Sequence, residues 1–231
     1  MIKVKRSKIP KLKVYTVENQ NLNPSERKLL LKLIKKDAIA FKKVVSRLKD
    51  SAARFTKAEK ETLQSIAYYA DPKNFVNEVK ITSKKAPNFS VYKDPEIKEE
   101  LKSIFNRKCA YCETQFLSSS PADIEHFRPK AGINPFSNNQ DGSLLKPGYY
   151  WLAADWGNLL WSCIGCNRRQ NLRLAGSSDK VPLGKQNRFP LSNEEKRIRS
   201  HNENLATENK QKLIIDPCKD CLLYTSDAAD E

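Results

Sequence analysis

Cys109-Ala-Tyr-Cys112, Ile124-Glu125-His126-Phe127-Arg128-Pro129-Lys130 and Trp156-Gly-Asn158-Leu-Leu-Trp-Ser-Cys163-Ile-Gly-Cys166-Asn167 decide how this chain folds. Two Cys-x-x-Cys pairs bracket a Glu-His dyad, one asparagine precedes the second pair, and another directly follows it. Each Cys-x-x-Cys turn can aim two thiolates at one point, so together they supply four soft ligands for tetrahedral zinc. The stretch from Glu113 to Ser162 only has to leave and return. Two disulfides are the alternative, and they need an oxidising compartment. The opening MIKVKRSKIPKLK is charged and no apolar stretch follows it, which is no signal peptide. Structural zinc on Cys109, Cys112, Cys163 and Cys166 is therefore expected, in a cytoplasmic setting.

The dyad carries the chemistry. Histidine titrates near neutrality and can take a proton from water. Alternation along a strand puts Glu125 and His126 on opposite faces. The carboxylate, or a bulged backbone, would then reach a metal while the imidazole faces the incoming water. Taken alone, such a pair reads as a satisfied structural histidine beside a surface acid; its place between two Cys-x-x-Cys pairs reverses that preference. The second histidine, His201, sits in the polar run RSHNEN and is given no role.

The pattern CAYCE … IEHFRPK … WGNLLWSCIGCNRRQ resembles an HNH nuclease, the ββα-metal fold with an accessory zinc knuckle. The resemblance covers Cys109 to about Leu191. It implies an α+β protein with a ββα-metal core, the acid-His pair on the first strand, and a final His or Asn on the helix. By position it makes His126 the general base and makes Glu125 and Asn167 ligands of a catalytic divalent metal. Asn158 would brace the loop between the strands and orient His126. Asn167 stands where a final histidine is common, and its amide oxygen is a hard ligand suited to magnesium or manganese. The chemistry implied is one-metal hydrolysis of a phosphodiester. MIKVKRSKIP, YYWLAADWGNLLWSC, Lys185-x-x-x-Phe189-Pro190-Leu191 and Leu213-Ile-Ile-Asp-Pro217 are similar to the Septu-type and retron-associated anti-phage HNH nucleases. That similarity implies a defence role beside an ATPase of the ABC/SMC-like kind.

Composition agrees. The 231 residues include 42 Lys or Arg against 27 Asp or Glu, a net charge of +15. Met1 to Asp50 alone holds fifteen basic and four acidic residues. A basic excess draws nucleic acid through phosphate contacts and counterion release, with DNA expected ahead of RNA. Arg128, Lys130, Arg168, Arg169, Arg173 and Lys185 flank the motifs and are the candidate phosphate contacts. Tyr149, Tyr150, Trp151, Trp156 and Trp161 read as walls of a small core rather than as stacking platforms for bases. No apolar run approaches the length needed to span a membrane.

Four regions follow. Residues 1–107 form a basic, mainly helical N-terminal part, with helices expected from Asn23 to about Lys49, over Lys57 to Ala70 behind a Thr56 cap, and from Asp94 to about Asn106. Residues 108–195 form the nuclease core, with loops over 118–147 around the dyad strand and over 182–190. Residues 196–220 read as the start of a truncated C-terminal region. Cys221 to Glu231 reads as the translation of a transposase sequencing adapter rather than as natural sequence. Cys218 then remains as a lone small hydrophobe. The competing expectation is a catalytically inactive, zinc-dependent nucleic-acid-binding or docking subunit, which would share the cysteines and the charge.

Overall fold

The computed structural model describes residues 56–70, 74, 87–116, 121–134, 144–173, 176 and 178–220. The basic arm at 1–13, the helix read over 23–49 and the tail at 221–231 lie outside the described residues.

Helix α1 (Lys57–Tyr69) starts on a full capping box. Thr56 Oγ1 accepts from the Glu59 amide at 3.1 Å, and the Glu59 carboxylate accepts from the Thr56 amide at 2.8 Å. Its inner face buries Ala58, Leu63 and Ile66. Ser65, on the same face, donates to the Tyr150 carbonyl at 3.2 Å and ties the helix to the aromatic segment. Helix α2 (Pro95–Ile104) has proline at its first position and Asp94 as cap, accepting from the Glu96 amide at 3.0 Å. Ile97 and Leu101, a turn apart, are fully buried. The helix ends a little before the Asn106 expected from sequence, because Asn106 and Arg107 take positive φ angles of 50° and 61° and turn the chain into Cys109.

Strand β1 (Ala122–His126) pairs antiparallel with β2 (Leu159–Cys163), in a register that sets Ala122 opposite Cys163, Ile124 opposite Trp161 and His126 opposite Leu159. A single turn of helix, α3 (Ile164–Asn167), follows β2 immediately. A four-cysteine cluster with the chemistry of a zinc site joins this unit to the turn after α2, and the architecture is α+β. Leu159, Leu160 and Trp161 are buried almost completely. Tyr149, Tyr150, Trp151 and Trp156 lie inside too, with the Tyr149 ring edge-on to Trp151 and to Phe189, so these aromatics are core as expected.

One element departs from the sequence reading. The segment from Pro182 was expected to be loop, yet Lys180–Leu183 forms β4, paired antiparallel with β3 (Gln170–Arg173), and Pro182 faces Asn171. A two-stranded ribbon leaves each strand an outer edge, where the missing proline N–H costs no ladder bond. Residues 196–220, read as the start of a truncated C-terminal region, contribute the buried side chains Arg197, Ile198, Glu208 and Asp216. Helix α4 (Leu205–Asn209) carries Glu208, fully buried, to the Tyr149 hydroxyl at 2.8 Å and the Arg128 Nε at 2.8 Å, and Leu191 bridges to Lys212.

Candidate active site and metal centre

The first Cys-x-x-Cys turn is fixed to β2 by the Ala110 amide donating to the Trp161 carbonyl at 2.8 Å. Glu113 closes the turn with φ 58°. Cys163 ends β2 and caps α3, which carries Cys166. The four sulfur atoms lie within 4.8 Å of one another, and Cys112 and Cys163 are 3.9 Å apart. Tetrahedral zinc with bonds of about 2.3 Å sets its sulfurs about 3.8 Å apart, so the donor set and its span fit zinc. The amides of Tyr111 and Cys163 both donate to Cys109 Sγ at 3.4 Å, and the Cys166 amide donates to Cys163 Sγ at 3.4 Å. Burial raises the Cys112 thiol, but hydrogen bonds from Thr114 and the neighbouring sulfurs outweigh it and bring the group down to about 7. Burial is the first cause that pushes Cys163 and Cys166 up, and the charge of Cys109 adds to it at both, against a lowering hydrogen bond from the Cys166 amide at Cys163.

His126 is 4% exposed at the end of β1. Its Nε2 lies 3.0 Å from the Ala153 carbonyl, which can only accept. The ring proton therefore sits on Nε2, and Nδ1 keeps its lone pair. Lys130 Nζ approaches that lone pair at 3.3 Å while lying 4.2 Å above the Tyr92 ring, and Tyr92 itself packs edge-on against the imidazole. Burial, helped by the Lys130 charge, holds the imidazole well below the ordinary histidine range. Lys130 is brought down to about 8, mainly by burial.

Asn158 ends the 3-10 turn Trp156–Asn158 that leads into β2. Its Oδ1 accepts from the Arg128 amide at 2.8 Å, and its Nδ2 donates to the carbonyls of Arg128 at 3.0 Å and Leu152 at 3.1 Å. One side chain thus clamps the segment just after His126 to the segment that supplies the Ala153 carbonyl. Both clamped segments lie next to His126 or to its Ala153 partner.

Glu125 and His126 do find different surroundings, as strand alternation requires. The Glu125 carboxylate is 2.5 Å from Lys185 Nζ, which also donates to the His126 carbonyl at 3.0 Å. Burial outweighs the ion pair for both groups, raising the Glu125 carboxyl and lowering the Lys185 ammonium. Asn167, at the end of α3, turns its Nδ2 to Asp123 Oδ2 at 2.8 Å. Arg168 grips the same carboxylate with two bonds of 2.8 and 2.7 Å, and holds it below the usual carboxylate range. Asp123 and Glu125, two apart on β1, share a face.

The candidate phosphate-binding residues divide. Arg169 and Arg173 are exposed, and so is Arg168 despite its Asp123 partner. Lys130 and Lys185 line the dyad. Arg128 instead lies inside the fold, 4% exposed, paired with Glu208, donating to Asn209 Oδ1 at 2.5 Å and stacked 4.7 Å above the Phe189 ring. Sequence reasoning did not single out Asp123, Tyr92, Glu208 or the Ala153 carbonyl. Asp123 had one available signal, its i, i+2 spacing from Glu125; the others come from distant segments and had none.

Over 132 residues, 57% of this chain, it is 41% identical to the Septu protein PtuB of Bacillus mycoides (strain KBAB4). Its curated homologues are Septu proteins. A second PtuB, from Bacillus thuringiensis, is 33% identical over 115 residues, and the Septu protein PtuA of Bacillus mycoides (strain KBAB4) is 31% identical over 120 residues. The chain spans 38% and 37% of the length of the two PtuB proteins and 14% of PtuA. No protein-family model matches the chain. No solved structure matches it either. Among the described residues, no helix is long and apolar enough to cross a membrane.

Proposed function

We propose that the chain is an HNH-type, metal-dependent endonuclease that hydrolyses phosphodiester bonds of DNA, acting as the nuclease of a Septu-like anti-phage system with an ABC/SMC-like ATPase as partner. One observation carries this most: a buried histidine whose Nε2–H is spent on a backbone carbonyl while its Nδ1 lone pair faces a lysine. The setting supports it. His126 ends the first strand of a β1–β2–α3 unit, Asn158 leads into β2 and Asn167 ends α3, an order that suits a brace and a last metal ligand. Similarity to Septu proteins supports the defence role.

His126 Nδ1 takes the proton of the attacking water, and the Ala153 carbonyl steadies the imidazolium that results. Lys130 turns from Nδ1 toward the phosphate, and the exposed Arg169 and Arg173 hold the flanking backbone. Zinc on the four cysteines holds the first turn, β2 and α3 together and takes no part in the chemistry. Glu125 and Asn167 are the oxygen donors for magnesium or manganese. An ammonium already faces Glu125, which supports reading these oxygen donors as suited in kind to a hard cation. Such a cation would stabilise charge on the phosphate and the leaving oxygen.

The competing role, an inactive zinc-dependent nucleic-acid-binding or docking subunit, is favoured by a specific observation. Glu125 is occupied by Lys185, and Asn167 is turned to Asp123. Cleavage separates the two. Full-length protein with its ATPase partner should cut DNA in magnesium or manganese, and His126→Ala should lower the rate about 10² to 10⁴-fold while DNA binding and zinc content persist. Cleavage by the variant at the wild-type rate removes His126 from the chemistry. No cleavage by wild type leaves the binding or docking subunit.

A further inference from the structure

Lys185 does not reach Glu125 by chance of a flexible side chain. Gly184 has φ +94°, and a Cβ there would fall 2.0 Å from the Arg168 carbonyl oxygen, so only glycine lets the chain pass. The Lys185 amide donates to the Cys166 carbonyl at 2.7 Å, and the Gln186 amide donates to the Asn167 carbonyl at 2.8 Å. Gln186 also takes a left-handed φ of 52°. Three consecutive residues are thus pinned onto the second Cys-x-x-Cys turn and onto the proposed metal ligand Asn167. The ammonium they deliver is 7% exposed, against an 8% exposed carboxylate.

A divalent cation approaching Glu125 therefore meets a positive charge at the carboxylate it needs. Removing that charge without replacing it leaves a buried carboxylate unpaired, which is costly. The exchange becomes favourable when two things arrive together: a dication for Glu125 and an anion for the displaced ammonium. The anion available at this site is the substrate phosphate. With its backbone pinned, Lys185 can make the exchange by swinging its four-carbon stem alone.

We propose that Lys185 is the resident counter-cation of Glu125, and that divalent metal and nucleic-acid phosphate displace it jointly, so that metal loads more tightly with substrate than without it. This rests on the reading of Glu125 as a metal ligand. The test measures manganese binding by loss of the free Mn²⁺ EPR signal, using zinc-loaded full-length protein carrying His126→Ala so that a duplex oligonucleotide stays uncut. Without duplex, Lys185→Met should bind Mn²⁺ at least about tenfold more tightly than the parent, because one unit charge a few ångströms away has been removed. Adding duplex should tighten Mn²⁺ binding by the parent about tenfold or more, and that of Lys185→Met far less. Glu125→Gln separates the two levels. Mn²⁺ binding unaffected by Glu125→Gln overturns the assignment of the ligand. Binding lost in Glu125→Gln but no tighter in Lys185→Met overturns the role of Lys185 and leaves the ligand in place. If Lys185→Met does not fold, judged by zinc content and circular dichroism, the parent still decides: equal Mn²⁺ affinity with and without duplex refutes joint displacement.

Discussion

Replacing Arg128 with methionine should cost stability rather than DNA affinity. The guanidinium lies 4% exposed between the Phe127, Tyr149 and Phe189 rings and donates to Glu208, whose side chain is fully buried. Methionine preserves much of the apolar stem packing, so the loss isolates the charge. Breaking one side of a buried ion pair costs about 3–5 kcal/mol because the other charge is left without a partner. Glu208 keeps the Tyr149 hydroxyl at 2.8 Å and the Ile198 amide at 3.0 Å, which places the loss near the lower end, about 3 kcal/mol. Against a whole-domain margin of about 5–15 kcal/mol this is large. With an m-value of about 2 kcal/mol/M, the urea midpoint of zinc-loaded protein should fall by about 1.5 M. Adding Glu208→Gln to the variant should recover part of that loss, since it removes the stranded charge. Meanwhile the dependence of log K on log salt for DNA binding should stay as it is in wild type, whereas a lost phosphate contact would flatten the slope by about one. A midpoint moved by less than about 0.3 M, together with a flattened slope, would refute the buried placement and restore Arg128 to the DNA surface.

Purified protein should hold one equivalent of zinc, and Cys109→Ser or Cys166→Ser should unfold the core, since structural zinc contributes about 10–16 kcal/mol in zinc-finger peptides; folded protein free of zinc by metal analysis would contradict the cluster. His126 is held neutral by burial and by Lys130, so the native state binds fewer protons there than the unfolded chain, whose histidine titrates near 6.5. That contribution to stability is complete above pH 6.5 and is lost as pH falls below it, so the pH 5 to pH 7.5 difference in urea midpoint should shrink in His126→Gln; the acid limb of kcat/KM should likewise lie below 6.5. Gly184→Ala must relieve a 2.0 Å contact with the Arg168 carbonyl at a positive φ, so it should lose more than about 1 kcal/mol in urea melts and loosen the 184–186 strap. A melt matching wild type would show that the strap does not need glycine.

What the sequence determined by itself is local. Two Cys-x-x-Cys spacings state a tetrahedral donor set whatever lies between them. Thr56 with Glu59, and Asp94 before Pro95, state helix starts because capping is satisfied within four residues. A cluster of aromatics in a small chain states its own burial. What only the tertiary structure decided is every contact whose partner lies far along the chain. Arg128 is an apparent phosphate ligand until Glu208, eighty residues on, closes on it. Glu125 is an apparent open carboxylate until Gly184 lets Lys185 come within 2.5 Å, sixty residues away. The tautomer of His126 is set by a carbonyl at Ala153, and carbonyls carry no signature in a sequence. Charge type and spacing are written in the residues themselves. Whether a charge meets water, an ion or a buried counter-charge depends on which surfaces the fold brings together, and that is settled by packing.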